Sequence, residues 1–357
     1  MLATKLSWSP PRKSVRPMLA GRQSQGSRSR LDREGTKGYP CDPTDVCNPA
    51  MPPIILHHFD ASPFAEKIRL VLGFRDIAWL GVQIPMVMPK PDVVALSGGY
   101  RKTPLLQIGA DVYADTALIA RVLDGLGSGP TLYPAAAPLA PAMAQWADWQ
   151  LFWAVVDFAS QPAAAAHRWR DTPPEVVAAI VADRTPFRAK VPRQTPADAS
   201  ANLQPMLTLL GAQVDDGRHF LFGMLTIADL AVAHCLWHLR RAGPVADAAL
   251  APHPKLLRWH DGLLARGHGR WREIPSAQAL AIAAGATQHA ACSVLPGLGF
   301  ELGQRVSVAA TDYGTDAVGG TLVGLTPQEV VIERSDARAG TLHVHFPRHG
   351  FHITTEG

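Results

Sequence analysis

Apolar and polar positions along the chain fall into three textures. Residues 54–59, IILHHF, form a short apolar run that reads as a buried strand. Ala65, Ile68, Leu70, Val71 and Leu72 then mark a helix, with Pro63 at its first position, where a missing N–H costs nothing. A second strand is expected near 78–84. Pro85, Pro89, Pro91 and the Gly98-Gly99 pair make the stretch after it loop-like. Residues 105–108 and 111–113 predict a hairpin turning at Gly109-Ala110, and 116–126 a helix. A Gly/Pro-rich linker over 127–141 closes this part. Only helical periodicity follows, over 142–159, 173–183, 198–214, 226–241, 254–267 and 276–285, with Trp146, Trp149 and Trp153 spaced to share one helical face. Beyond Pro296 the pattern alternates in short runs: 305–309, 321–325, 330–334, 342–346 and 351–354. Five strands so close together predict a small β-barrel or curled sheet.

The resulting fold class is α+β, with three parts. A β-α-β-loop-β-β-α unit over 52–127 has a thioredoxin-like layout. An all-helical domain over 138–288 and an appended all-β, barrel-like module over 298–357 follow it. Residues 1–50 are rich in Arg, Ser, Gly and Pro and are expected to be disordered, with Met51 expected as the true start.

Charge changes the picture only slightly. The formal net charge is +4, but residues 1–50 hold nine Lys/Arg against four Asp/Glu, a net of +5, so the remainder sums to −1. The basic pI is therefore no nucleic-acid footprint, and no nucleic-acid partner is expected. No long uncharged apolar run is present, so no membrane span is expected. Cys41, Cys47, Cys235 and Cys292 do not form a secreted disulfide framework, which points to a reducing cytoplasm.

Three motifs carry a resemblance to a known family. The run FDASPFAEKIRLVL, the triplet Lys102-Thr103-Pro104 followed by Asp115-Thr116, and Gly223-Met-Leu-Thr226-Ile-Ala-Asp229 occur in order over residues 52–288. Together they resemble the cytosolic glutathione S-transferases, with a start similar to the tau and omega types. The resemblance implies a homodimer that binds glutathione as co-substrate and takes a small apolar electrophile, with no other cofactor.

The chemistry asked of these positions is definite. A free thiol has a pKa near about 8.5, so little thiolate exists at neutral pH, and the thiolate is the nucleophile. A helix N-terminus and a hydroxyl placed there can stabilise the anion. Ser62, ahead of Pro63, is the candidate catalytic residue, although Ser-Pro is equally an ordinary helix cap. The resemblance gives Phe64, Lys90, Lys102, Thr103, Pro104, Asp115 and Thr116 to glutathione, with Thr103-Pro104 cis and its backbone pairing like an added strand. Asp115 is one methylene shorter than the family's usual Glu. Trp149 and Trp153 are candidates for the electrophile pocket. Thr226 and Asp229 read as a capping box. His343 and His345 share one strand face, read as solvated because no acid completes a metal site nearby; no metal is expected. A non-catalytic binding or adaptor protein on the same fold is the alternative function.

Overall fold

The structure, a computed structural model, describes residues 52–356; the expectations for residues 1–50 and Met51 lie outside the described residues. The first part runs β1 (Ile54–His58), α1 (Pro63–Phe74), β2 (Trp79–Gln83), α2 (Pro91–Ser97), β3 (Leu105–Ile108), β4 (Asp111–Ala114) and α3 (Thr116–Leu126). β2 pairs parallel to β1, while β3 pairs antiparallel to β1 and to β4, which is the thioredoxin-like layout. One helix, α2, falls in the stretch read as loop. Its punctuation is legible in hindsight: Pro91 is its first residue and Gly98 caps it at φ 76, a left-handed conformation that glycine adopts without strain.

The helical part contains α4 (Ala140–Trp146), a π-helical turn at 147–151, α5 (Phe152–Phe158), α6 (Pro162–Arg168), α7 (Pro174–Phe187), α8 (Pro196–Gln213), α9 (Ile227–Arg240), α10 (Pro244–Leu250) and α11 (Pro254–Leu264). Proline opens five of these helices, so a proline-rich sequence still builds a helical layer. Buried α9 starts at the expected box. Asp229 accepts the Thr226 N–H at 2.8 Å and also the Leu221 N–H at 2.7 Å, which ties the helix start to the preceding loop.

The chain then departs from the all-helical expectation. β5 (Trp271–Glu273) returns to pair parallel with β2, and α12 (Ser276–Ala284) packs against α2, β2 and β9. The module supplies β6 (Arg305–Ala310), β7 (Val318–Leu325), β8 (Glu329–Asp336), β9 (Gly340–Pro347) and β10 (Phe351–Thr355), five strands as predicted. They do not close as a separate barrel. β9 pairs parallel to β4, giving one ten-stranded sheet in the order β10-β6-β7-β8-β9-β4-β3-β1-β2-β5. The alternation of strand residues explains why. Leu56, Leu106 and Tyr113 face α1, α3 and the helical layer in one core, while Ile55, Leu105 and Val112 face the opposite side. Val306, Val308, Leu342 and Phe346 of the module complete that second core together with α2 and α12 residues. Among the described residues no helix is long and apolar enough to cross a membrane.

Candidate functional site

A cavity of about 280 Å3 gathers most of the residues the sequence singles out. Thr103 and Pro104, joined by a cis peptide bond as the resemblance implies, bring a backbone edge to its wall just ahead of β3. Asp115 follows β4 at φ 69, a left-handed conformation that side-chain-bearing residues seldom take and that gathers at functional sites. Its carboxylate accepts the Ala117 N–H at 2.8 Å and so caps α3. Thr116 opens that helix, 3.3 Å from the Lys67 ammonium. From α1 the wall receives Phe64, and from the helical layer Gln145, Asp148 and Trp149. The module closes the opposite side with Asp312 and Tyr313, in the loop after β6, and with Phe351.

Ser62, Lys90 and Trp153 sit close by without forming the wall. Ser62 is buried at 3% exposure, and its Oγ accepts the Ala65 N–H at 3.2 Å. The capping geometry is therefore realised, while its own hydroxyl proton meets no acceptor among the described residues. Lys90 lies behind Thr103, 3.4 Å from its hydroxyl and 5.6 Å over the Phe59 ring. Burial, then the nearby Arg184 charge, pushes its pKa down to about 8. Lys102 reaches the cavity, but its ammonium is held 2.6 Å from Asp312 and 4.2 Å over the Tyr313 ring. Across the π-helical turn Trp149 and Trp153 meet edge-on at 6.0 Å, and both pack on Tyr313. Trp149 is exposed on the wall, whereas Trp153 packs edge-on to Tyr313 at 5.2 Å and under Arg188.

A buried ionic network backs the cavity. Lys67, fully buried, contacts Asp148 at 2.5 Å, and the other Asp148 oxygen lies 3.0 Å from His234 Nε2. Burial alone would raise the Asp148 pKa, but Lys67 and His234 outweigh it and hold the carboxylate below its usual range. Asp115 goes the other way: burial raises its pKa despite Lys102 and the Ala117 N–H. The cavity thus offers three carboxylates, an ammonium paired with one of them, a hydroxyl at a helix start, an open peptide edge and aromatic rings. That set suits a peptide-like zwitterion with an apolar group beside it.

Sequence reading missed Tyr100, Asp148, Asp312, Tyr313 and Phe351. Lys67 within an apolar helix was the one usable signal for the network, since a buried lysine needs a carboxylate. Asp312 and Tyr313 gave none, because they lie past the end of the resemblance and outside any strand.

Family models match two segments: "Glutathione S-transferase, N-terminal domain" over residues 56–131 and "Glutathione S-transferase, C-terminal domain" over 194–262. A GST-like protein from Pseudomonas syringae has a solved structure with a TM-score of 0.71 and 38% identity, covering 86% of this chain and 100% of that one. A match of that extent leaves too few residues uncovered to exclude the whole module, so it reaches into the module. A glutathione S-transferase from Rhodospirillum rubrum is 19% identical with a TM-score of 0.43, over 59% of this chain and 88% of that one. No curated protein matches the chain.

Proposed function

The chain belongs to the glutathione S-transferase family, and from that membership we propose that it activates glutathione for attack on small apolar electrophiles. The single observation that carries this reading is the meeting of the cis Thr103–Pro104 edge, the left-handed Asp115 and the start of α3 in one cavity. Glutathione would lie along the Thr103 backbone as an added strand. The Asp115 carboxylate would take the γ-glutamyl ammonium, while the Thr116 hydroxyl and α3 N-terminus would take the neighbouring carboxylate. The cysteinyl sulfur would then approach the N-terminus of α1, where Ser62 can accept from Ala65 and still donate its proton to a thiolate. The electrophile would sit against Phe64, Trp149 and Tyr313, so the module contributes a wall of its pocket.

Two engagements favour a second reading, a glutathione-binding protein without turnover: Ser62 already caps α1, and Lys102 is already paired with Asp312. Ser62→Ala separates the two. A hydrogen bond to an anion is worth about 1.5–3 kcal/mol, so conjugation near neutral pH should fall about 10- to 150-fold and recover in part at higher pH. A pH–rate curve superimposable on the parent's, with only a lower melting temperature, would leave Ser62 as a cap.

A further inference from the structure

Away from that cavity, the seam between the N-terminal sheet and the module holds a separate set of metal-binding side chains. Asp111 on β4 and His343 on β9 are register partners across the seam. His289 reaches the same spot from the segment linking α12 to the module. One donor atom from each of the three lies within 4.8 Å of the others. His289 Nδ1 is 3.6 Å and His343 Nδ1 3.9 Å from the same Asp111 oxygen, beyond hydrogen-bonding distance. Both nitrogens are buried without a hydrogen-bond partner, and the two rings stack at 3.7 Å. His343 itself is 8% exposed. Buried imidazole nitrogens are normally paired, so two unpaired ones aimed at one carboxylate need a reason.

We propose that Asp111, His289 and His343 bind a divalent first-row transition-metal ion of the zinc type. Two imidazole nitrogens and one carboxylate oxygen form the donor set of three-ligand zinc sites that keep one position open, and they are poor ligands for calcium or magnesium. An ion bonded at about 2.0–2.1 Å to each donor holds those donors roughly 3–4 Å apart, close to the 3.6 and 3.9 Å that separate the two histidine nitrogens from Asp111. The surroundings are built to orient the ligands. His345 Nε2 bonds Asp111 Oδ1 at 2.9 Å, and the Ala290 N–H donates to Oδ2 at 2.9 Å. His345 Nδ1 in turn meets Glu329 at 2.7 Å, and His343 Nε2 faces Glu333 at 3.6 Å. Carboxylates behind ligating histidines are the usual outer partners of such sites. A cavity of about 450 Å3 bordered by Ala290 and His345 lies beside the cluster, although none of the three ligands lines it. The ligands come from the N-terminal sheet, the linker and the module, so the ion staples the three together.

The test titrates Zn2+, and separately Co2+, into the metal-stripped full chain, its His289→Ala variant and its His343→Ala variant. One equivalent should bind the parent, raise its melting temperature and, with Co2+, give the visible absorption of a low-coordinate site. Both variants should bind at least about 100-fold more weakly, more than the loss of an outer partner costs. The chain has 14 histidines, so the variants and not the parent alone decide. His289 is partly exposed on a linker, and its variant should fold even if His343→Ala does not. The inference is overturned if the folded parent takes up neither ion saturably, or if His289→Ala binds as tightly as the parent.

Discussion

Two largely covered carboxylates, Asp148 on the cavity wall and Asp111 on the module seam, are surrounded very differently. Asp148 meets a permanent cation, Lys67, and one histidine, each on its own oxygen. Asp111 meets three imidazoles, of which only His345 is within bonding distance. The first cluster is complete in itself and holds α1, the π-helical turn and α9 together. The second leaves donor atoms over. Asp111 is the more deeply buried of the two, yet what separates a structural network from a ligand site is whether the partners use up the valences.

Removing each carboxylate sharpens this contrast. Asp148→Asn strands the Lys67 ammonium where water cannot reach it, and breaking a buried pair costs about 3–5 kcal/mol. Denaturant unfolding should show a loss of that size, the largest expected of any change considered, and a loss under about 1 kcal/mol would mean the network is not holding the helices. A histidine with no bonded carboxylate marks the opposite limit. His57 bonds the neutral Gln107 at 2.8 Å, and burial pushes its pKa from 6.5 down to about 4. Because its folded-state pKa is depressed, the unfolded chain binds the extra proton first. Its contribution is intact above pH 6.5 and is lost as pH falls through about 4, up to roughly 3 kcal/mol. Stability measured across that window should fall less steeply in His57→Gln; an unchanged slope would contradict the assignment. Asp111→Asn, measured with chelator present, should cost only about 1–3 kcal/mol, because imidazoles can release their protons where a lysine ammonium is far less able to. Equal costs for Asp111 and Asp148 would erase the comparison.

Much of this was legible in the chain. The hairpin at Gly109, the helix opened by Thr116, the cis Thr103–Pro104 bond and all five module strands follow from local patterns or from the resemblance. What was not legible depends on pairing between distant segments. Nothing local to Leu342–Phe346 says that β9 will pair with β4, and that pairing is what ended the separate-barrel expectation. The same event buries His343 and His345, read as a solvated face, and supplies the acid, Asp111, that the strand lacked. Likewise Lys102 looked free for a carboxylate ligand until Asp312 arrived from the module. Strand pairing over more than 200 residues carries no short-range signature, so sequence patterns found the parts and missed their joins.

Glutathione is proposed to occupy the cavity between the thioredoxin-like unit, the helical layer and the module. Thermal unfolding of the full chain against rising reduced glutathione tests it most directly. A ligand that binds only the folded state adds about 2.7 kcal/mol at 100 times its Kd, so the melting temperature should climb and follow a single-site curve. Replacing Thr116 with Val should weaken that response while the chain stays folded. A melting curve unmoved by millimolar glutathione would contradict the claim.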